Sequence, residues 1–229
     1  MPEDTPRAEI ERRLDQYIHD ANNLLAGILG YASSIESQAV PGGEVHEAAA
    51  AIRQAAERAG ELTAQLGESA TPIVRRAVDL HAIVAEVSTL VRGTCGSRIQ
   101  IRHELADGGA IASGDSSRLY QLVLNLVMNA CDAMPEGGEL WIRTRLDPDR
   151  DWILLEVADT GWGIRPEDLP RIFEPTFTTK AGKRSGIGLA IARSIVSVHG
   201  GRIEVESVLG KGATLRAILP GGPERSAAV

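Results

Sequence analysis

Asp159-Thr160-Gly161-Trp162-Gly163-Ile164, then Phe173-Glu174-Pro175-Thr176-Phe177-Thr178-Thr179-Lys180, then Gly186-Ile187-Gly188-Leu189-Ala190: these three runs decide the fold. A strand-like segment, Trp152 to Ala158, feeds the aspartate and the first two glycines. The last two glycines open an apolar helix. Glycine lets backbone approach a ligand closely, and a helix N-terminus favours anions. An isolated Asp-x-Gly-x-Gly is only a turn signal. The helix upstream strengthens it. Asn125, Asn129 and Asp132 fall at i, i+4 and i+7 and share one helix face. Together these features imply a nucleotide clamp.

In this order the runs resemble the ATP-binding domain of sensor histidine kinases, within the GHKL superfamily. Asn125-Leu-Val-Met-Asn129-Ala-Cys-Asp132 is similar to the family's asparagine box, and 159–164 to its first glycine box. Residues 173–180 resemble the phenylalanine box, and 186–190 the second glycine box. The match covers roughly residues 70–220, and four boxes in register are far more specific than any one.

Bulk properties fit this class. A chain of 229 residues allows one or two domains with a sizeable core. Apolar residues at 43% and charged residues at 24% are those of a globular protein. A net charge of −7 argues against a general nucleic-acid surface. Cys95 and Cys131 make no even disulfide framework and have no ligand-spaced neighbours, so they are expected as reduced thiols of a cytoplasmic protein. No apolar run reaches the ~18 residues of a membrane span. The N-terminus MPEDTPRAEIERR has no signal-peptide core.

Residues 7–39 read as one helix. Ile10, Leu14, Tyr17, Ala21, Leu24, Ile28, Tyr31 and Ile35 alternate steps of four and three, a heptad seam. Ile18, Leu25 and Ala32 widen the apolar face. Pro41-Gly42-Gly43 breaks it, and a second helix at 44–69 carries the seam Val45, Ala48, Ile52, Ala55, Ala59, Leu62 and Leu66. One hairpin cannot bury two wide faces, whereas two hairpins can, as a four-helix bundle. The expectation is a homodimer. With Leu14 at a and Tyr17 at d, His19 falls at the exposed f position, where a lone histidine would be only part of a solvated face. Its neighbours change that weight. His19-Asp20-Ala21-Asn22-Asn23-Leu24-Leu25 resembles the histidine-kinase phosphoacceptor box, with Ala21 where the similar subgroup has an aromatic residue.

Thr71-Pro72 marks a boundary, giving a helical domain at 1–70, an α/β-sandwich domain at 71–220 and a tail at 221–229 expected to be disordered. The second domain reads as a strand at Ile73–Val78 and Asp79 as an N-cap. A helix at 80–92 follows, then strands at 98–105 and 110–113 and the asparagine-box helix capped by Asp115 or Ser116. Strands at 139–146 and 152–158, a helix at 186–199 and strands at 202–207 and 213–219 complete it. Gly210-Lys211-Gly212 is a hairpin turn, or a third glycine box by resemblance.

The resemblance implies roles. Asn129 would ligate Mg²⁺, Asn125 would lie by the phosphates, Asp132 would belong to the ATP site as in the similar subgroup, and Asp159 would accept from the adenine amino group. Gly161 and Gly163 would shape the base pocket, and Gly186 and Gly188 would pack on the phosphates at the helix start. Residues 164–185 would form a lid, in which Lys180 either touches a phosphate or is solvated. Thr214 would support Asp159, although Ala213 stands beside it. Arg184 holds a place where the family has a further glycine. Hydrolytic relatives carry a glutamate four residues before the metal asparagine. Here that place is Asn125, which cannot be a general base. The expected nucleophile is therefore His19, with Asp20 holding its other ring nitrogen. The phosphoryl group would pass to an aspartate of a response-regulator receiver domain. Asn23 would either orient water for the reverse dephosphorylation or help place His19. Only a few residues precede the first helix, so input is expected from a separate sensor domain or protein. The competing expectations are a dimeric scaffold that phosphorylates nothing, and a GHKL serine kinase.

Overall fold

The chain divides into two units, Met1–Pro72 and Ile73–Val229. The computed structural model describes residues 17, 21, 24–25, 27–36, 38–70, 75–95, 98–147, 150–174, 177 and 188–222.

In the first unit positions 27–36 are helical, and α1 spans Glu44–Ala70. Gly42 takes φ +77° between them, a left-handed conformation open to glycine at no steric cost. Gly43 N–H donates to the Val40 carbonyl at 2.9 Å and closes the turn. The buried apolar side chains described here are alanines, Ala32, Ala49 and Ala56, small enough for close helix approach. Arg53 donates to Glu36 at 2.8 Å and ties the two helices across the turn. Tyr31, Ile35, Val45 and Ile52, all on the heptad seams, are exposed. Within the chain the hairpin thus closes on its flank and leaves its seams open.

The second unit runs β1 (Arg76–Asp79), α2 (Leu80–Thr94), β2 (Ile99–Glu104), β3 (Ile111–Gly114), α3 (Ser116–Asp132), β4 (Gly138–Asp147), β5 (Trp152–Asp159), α4 (Gly188–Val198), β6 (Arg202–Val208) and β7 (Gly212–Pro220). β1 and β3 form a two-stranded antiparallel sheet. The other five strands form one sheet in the order β2-β4-β5-β7-β6, parallel only between β2 and β4. Apolar residues at helical spacing on α2 (Leu80, Val84, Val87, Val91) and α3 (Leu119, Leu122, Val123, Leu126) meet the alternating inner faces of β5 and β7 in one core. Helices therefore cover one face of the sheet, a two-layer α/β sandwich. Among the described residues no helix is long and apolar enough to cross a membrane.

The other face carries charge. Glu104, Arg143, Glu156 and Arg216 are register partners on β2, β4, β5 and β7. They join at 2.7, 2.9 and 2.8 Å, and Arg216 goes on to Glu206 at 2.6 and 3.0 Å. Burial penalises the Glu156 charge, but hydrogen bonds from Arg216 and Arg143 outweigh it and hold the carboxyl below its ordinary range. The guanidinium carbons of Arg102 and Arg143 lie 5.2 and 4.7 Å from the centroid of the Trp141 ring.

Two expectations change. The first strand covers Arg76–Asp79 rather than starting at Ile73; residues 73 and 74 lie outside the described residues. The tail does not begin at Gly221. Gly221 N–H donates to the Asp151 carbonyl and Gly222 N–H to that of Ile111, both at 2.7 Å, so backbone pairing carries the chain on past β7. Residues 223–229 lie outside the described residues.

Candidate functional site

Asp159 ends β5 on the helix-facing side, continuing the buried alternation Ile153, Leu155, Val157. Its Oδ1 accepts from Gly161 N–H at 2.8 Å and Ala213 N–H at 3.3 Å. The carboxyl group is thus aimed by its own turn and by the start of β7.

Glycines around it make room for backbone. A Cβ on Gly161 would run into the Ala133 carbonyl, and one on Gly163, at φ +71°, into that of Val208. At Gly212, φ +92°, it would strike the Asp159 carbonyl. Three segments meet here: the end of α3, the turn after β5, and the β6–β7 hairpin. Trp162 N–H donates to the Ala133 carbonyl at 3.2 Å, and Gly210 N–H to that of Trp162 at 2.7 Å. Gly161 and Gly163 thus let these segments join by close backbone approach. Ser207 and Thr160, which the motifs did not single out, secure the joint. The Ser207 hydroxyl accepts from Ile164 N–H and donates to the Gly212 carbonyl, each at 2.8 Å. The Thr160 hydroxyl accepts from Glu139 N–H at 3.0 Å.

Thr214 is a correction. It pairs with Ala158 and so lies on the sheet face opposite Asp159. The group of β7 that reaches Asp159 is the Ala213 N–H, one residue earlier.

On α3 the Asp115 carboxyl accepts from Arg118 N–H at 2.9 Å and caps the helix. Burial of Leu119, Leu122, Leu126 and Ala130 fixes its rotation and leaves Asn125, Asn129 and Asp132 half-buried. The Asn125 Nδ2 is buried with no hydrogen-bond partner among the described residues. Gly188, at the start of α4, is beside it: a Cβ there would lie 3.8 Å from Asn125 Oδ1. The first N–H groups of a helix have no acceptor within it, so two sets of donors converge on one place. An unpaired buried donor costs about 1–3 kcal/mol, which an anionic acceptor would recover. The structure thus brings Asn125 to Gly188, and the end of α3 to the turn after Asp159. His19, Asp20, Asn23, Lys180, Arg184 and Gly186 lie outside the described residues.

This arrangement defines a class. Residues 114–223 match the family model described as "Histidine kinase-, DNA gyrase B-, and HSP90-like ATPase". Among solved structures, the mycobacterial sensor histidine kinase MprB aligns with a TM-score of 0.59 and 30% identity, covering 66% of this chain and 99% of that one. Full-length ShkA in complex with AMPPNP aligns with a TM-score of 0.64 and 26% identity, covering 91% of this chain and 45% of that one. Sensor histidine kinase ZraS of Salmonella typhi is 35% identical over 205 residues, 88% of this chain and 44% of that protein. Sensor protein FixL of Bradyrhizobium diazoefficiens is 33% identical over 222 residues, 90% of this chain and 42% of that protein. The chain belongs to the sensor histidine kinases. It spans less than half the length of these curated relatives.

Proposed function

We propose that the chain is the kinase core of a two-component system, which uses ATP to phosphorylate His19 and passes the phosphoryl group to an aspartate of a response-regulator receiver domain. The observation that carries this is the buried Asn125 Nδ2, beside the start of α4 and without a partner among the described residues. It supplies a donor for a phosphate and no base for water, so the acceptor must be another nucleophile. A His19 ring nitrogen attacks the γ-phosphorus in line. A nitrogen–phosphorus bond forms, the bond to the bridging oxygen breaks, and ADP carries away the electron pair. Asp20 holds the other ring N–H and stabilises the developing positive charge. Asp159, aimed by two backbone donors, accepts from the adenine amino group. Mg²⁺ would sit at the Asn129 amide oxygen and neutralise phosphate charge. Among the described residues no cluster of three or more His, Cys, Asp or Glu could hold a metal alone. The ion would share its coordination with the nucleotide.

The open seams of the hairpin support a homodimer in which two copies form a four-helix bundle. Input comes from a separate sensor domain or protein. Asn23 orients water in the reverse dephosphorylation of the regulator. The test is labelled ATP with Mg²⁺ on wild type beside His19→Ala. Acid-labile label should vanish in the variant while ATP affinity stays. Full labelling of His19→Ala would overturn the assignment of the nucleophile.

A further inference from the structure

His199 follows α4 and is fully buried. Its Nδ1 lies 2.7 Å from the Ile195 carbonyl, which only accepts, so Nδ1 carries the proton. Its Nε2 then accepts, and Asp115 N–H donates to it at 3.0 Å. Asp115 is the residue that caps α3. The ring also explains Gly114, where a Cβ would come within 2.5 Å of Cδ2 and 2.6 Å of Nε2. At the opposite end of the same helix pair, Gly188 approaches Asn125. From Asp115 to Asn125, and from Gly188 to His199, each helix rises ~15 Å. Beyond their shared apolar packing, the two helices are therefore joined at their far end by the hydrogen bond that Asp115 N–H donates to a neutral imidazole. Their near end is where the proposed phosphate donors converge.

We propose that His199 is a positioning residue for nucleotide binding: by accepting from Asp115 N–H, it sets the placement of the α4 start against Asn125 and Asn129. This rests on the nucleotide reading of that site. The bond needs the neutral ring. Burial, opposed by the Ile195 carbonyl and the Asp115 carboxylate and aided by Arg118 and Arg75, holds the His199 pKa below its ordinary value. The bond is therefore intact at neutral pH.

Two substitutions separate the two ring nitrogens. His199→Asn keeps a donor near the Nδ1 position and removes the acceptor at Nε2. His199→Gln can place its Oε1 near the Nε2 position and keep the acceptor. Calorimetric titration of the full chain with ATP and Mg²⁺, well below the melting temperature, should show affinity about tenfold weaker for Asn, the equivalent of ~1.4 kcal/mol. Gln should restore most of it. Equal affinity in folded Asn and wild type would overturn the proposal, as would equal losses in Asn and Gln, which would make ring volume the cause. If Asn does not fold, acid titration decides. Wild-type affinity should fall more steeply than that of Gln once pH drops below the ordinary histidine range to the lowered value of the buried ring, where protonation removes the acceptor. Parallel curves would sink it. Failure of the wild type itself to bind ATP would remove the nucleotide reading and this inference with it.

Discussion

At the scale of single residues, the site depends on groups whose neighbours are backbone. Asn125→Asp keeps shape and replaces a buried amide donor with a carboxylate facing phosphate. We expect ATP affinity to fall by at least about tenfold, since like charges a few ångströms apart repel by more than ~1.4 kcal/mol even at intermediate dielectric. Calorimetry checks this, with an unchanged melting curve as control. Gly212→Ala should act on the fold instead. It forces a side chain into φ +92° and against the Asp159 carbonyl. The expected cost is about 3 kcal/mol, or a melting temperature ~6–12 °C lower.

At the scale of elements, the exposed seam of the hairpin gives a third prediction. Ile52 lies on α1 at the border of the face that buries Ala49 and Ala56, and is itself exposed. Ile52→Glu should convert a dimer to monomers in sedimentation equilibrium while far-ultraviolet circular dichroism retains its helical signal. A dimer that survives would remove this seam from the interface. Elements are also where the sequence was most legible. Period-3.6 spacing on α3 marks Leu119, Leu122, Leu126 and Ala130 as buried, and the structure buries them. The alternation on β5 continues to Asp159, and its place in the core layer follows from Val157. What spacing could not show was contact between distant segments. His199 and Asp115 are 84 residues apart, and Ser207 meets Ile164 across 43. Ala213 serves Asp159 through its backbone, which leaves no trace in residue type, so Thr214 drew the reading one position too far. Of the seam residues, Tyr31, Ile35, Val45 and Ile52 are exposed. That they stay open within the chain depends on which flank the Ala32, Ala49 and Ala56 side chains close.

Across the whole molecule, stability should fall in two steps on acidification. Burial holds His199 and His103 below the ordinary histidine value, with Arg92 adding to the effect at His103. Below ~6.5 the unfolded chain takes up these protons first, so stability is lost as pH falls from there toward the folded values. Glu156 is also held low, so its contribution is present above the unfolded carboxyl value of ~4.3 and lost as pH falls through the folded one. Urea unfolding between pH 8 and pH 3 measures both; a midpoint flat from pH 8 to pH 5 would contradict the first step. The row of alternating charge that contains Glu156 has another consequence, for the route by which the sheet assembles. A strand that slips by one residue turns its apolar side outward and is rejected. A slip of two keeps every apolar residue inward, so hydrophobicity cannot detect it. Between β5 and β7 no short turn fixes the pairing either. A slip of two there would set Arg216 opposite Ala158 or Leu154 in place of Glu156 and strand a shielded carboxylate. The charges act as a vernier, distinguishing the one alignment in which every mark coincides from neighbours that greasy contacts alone would accept.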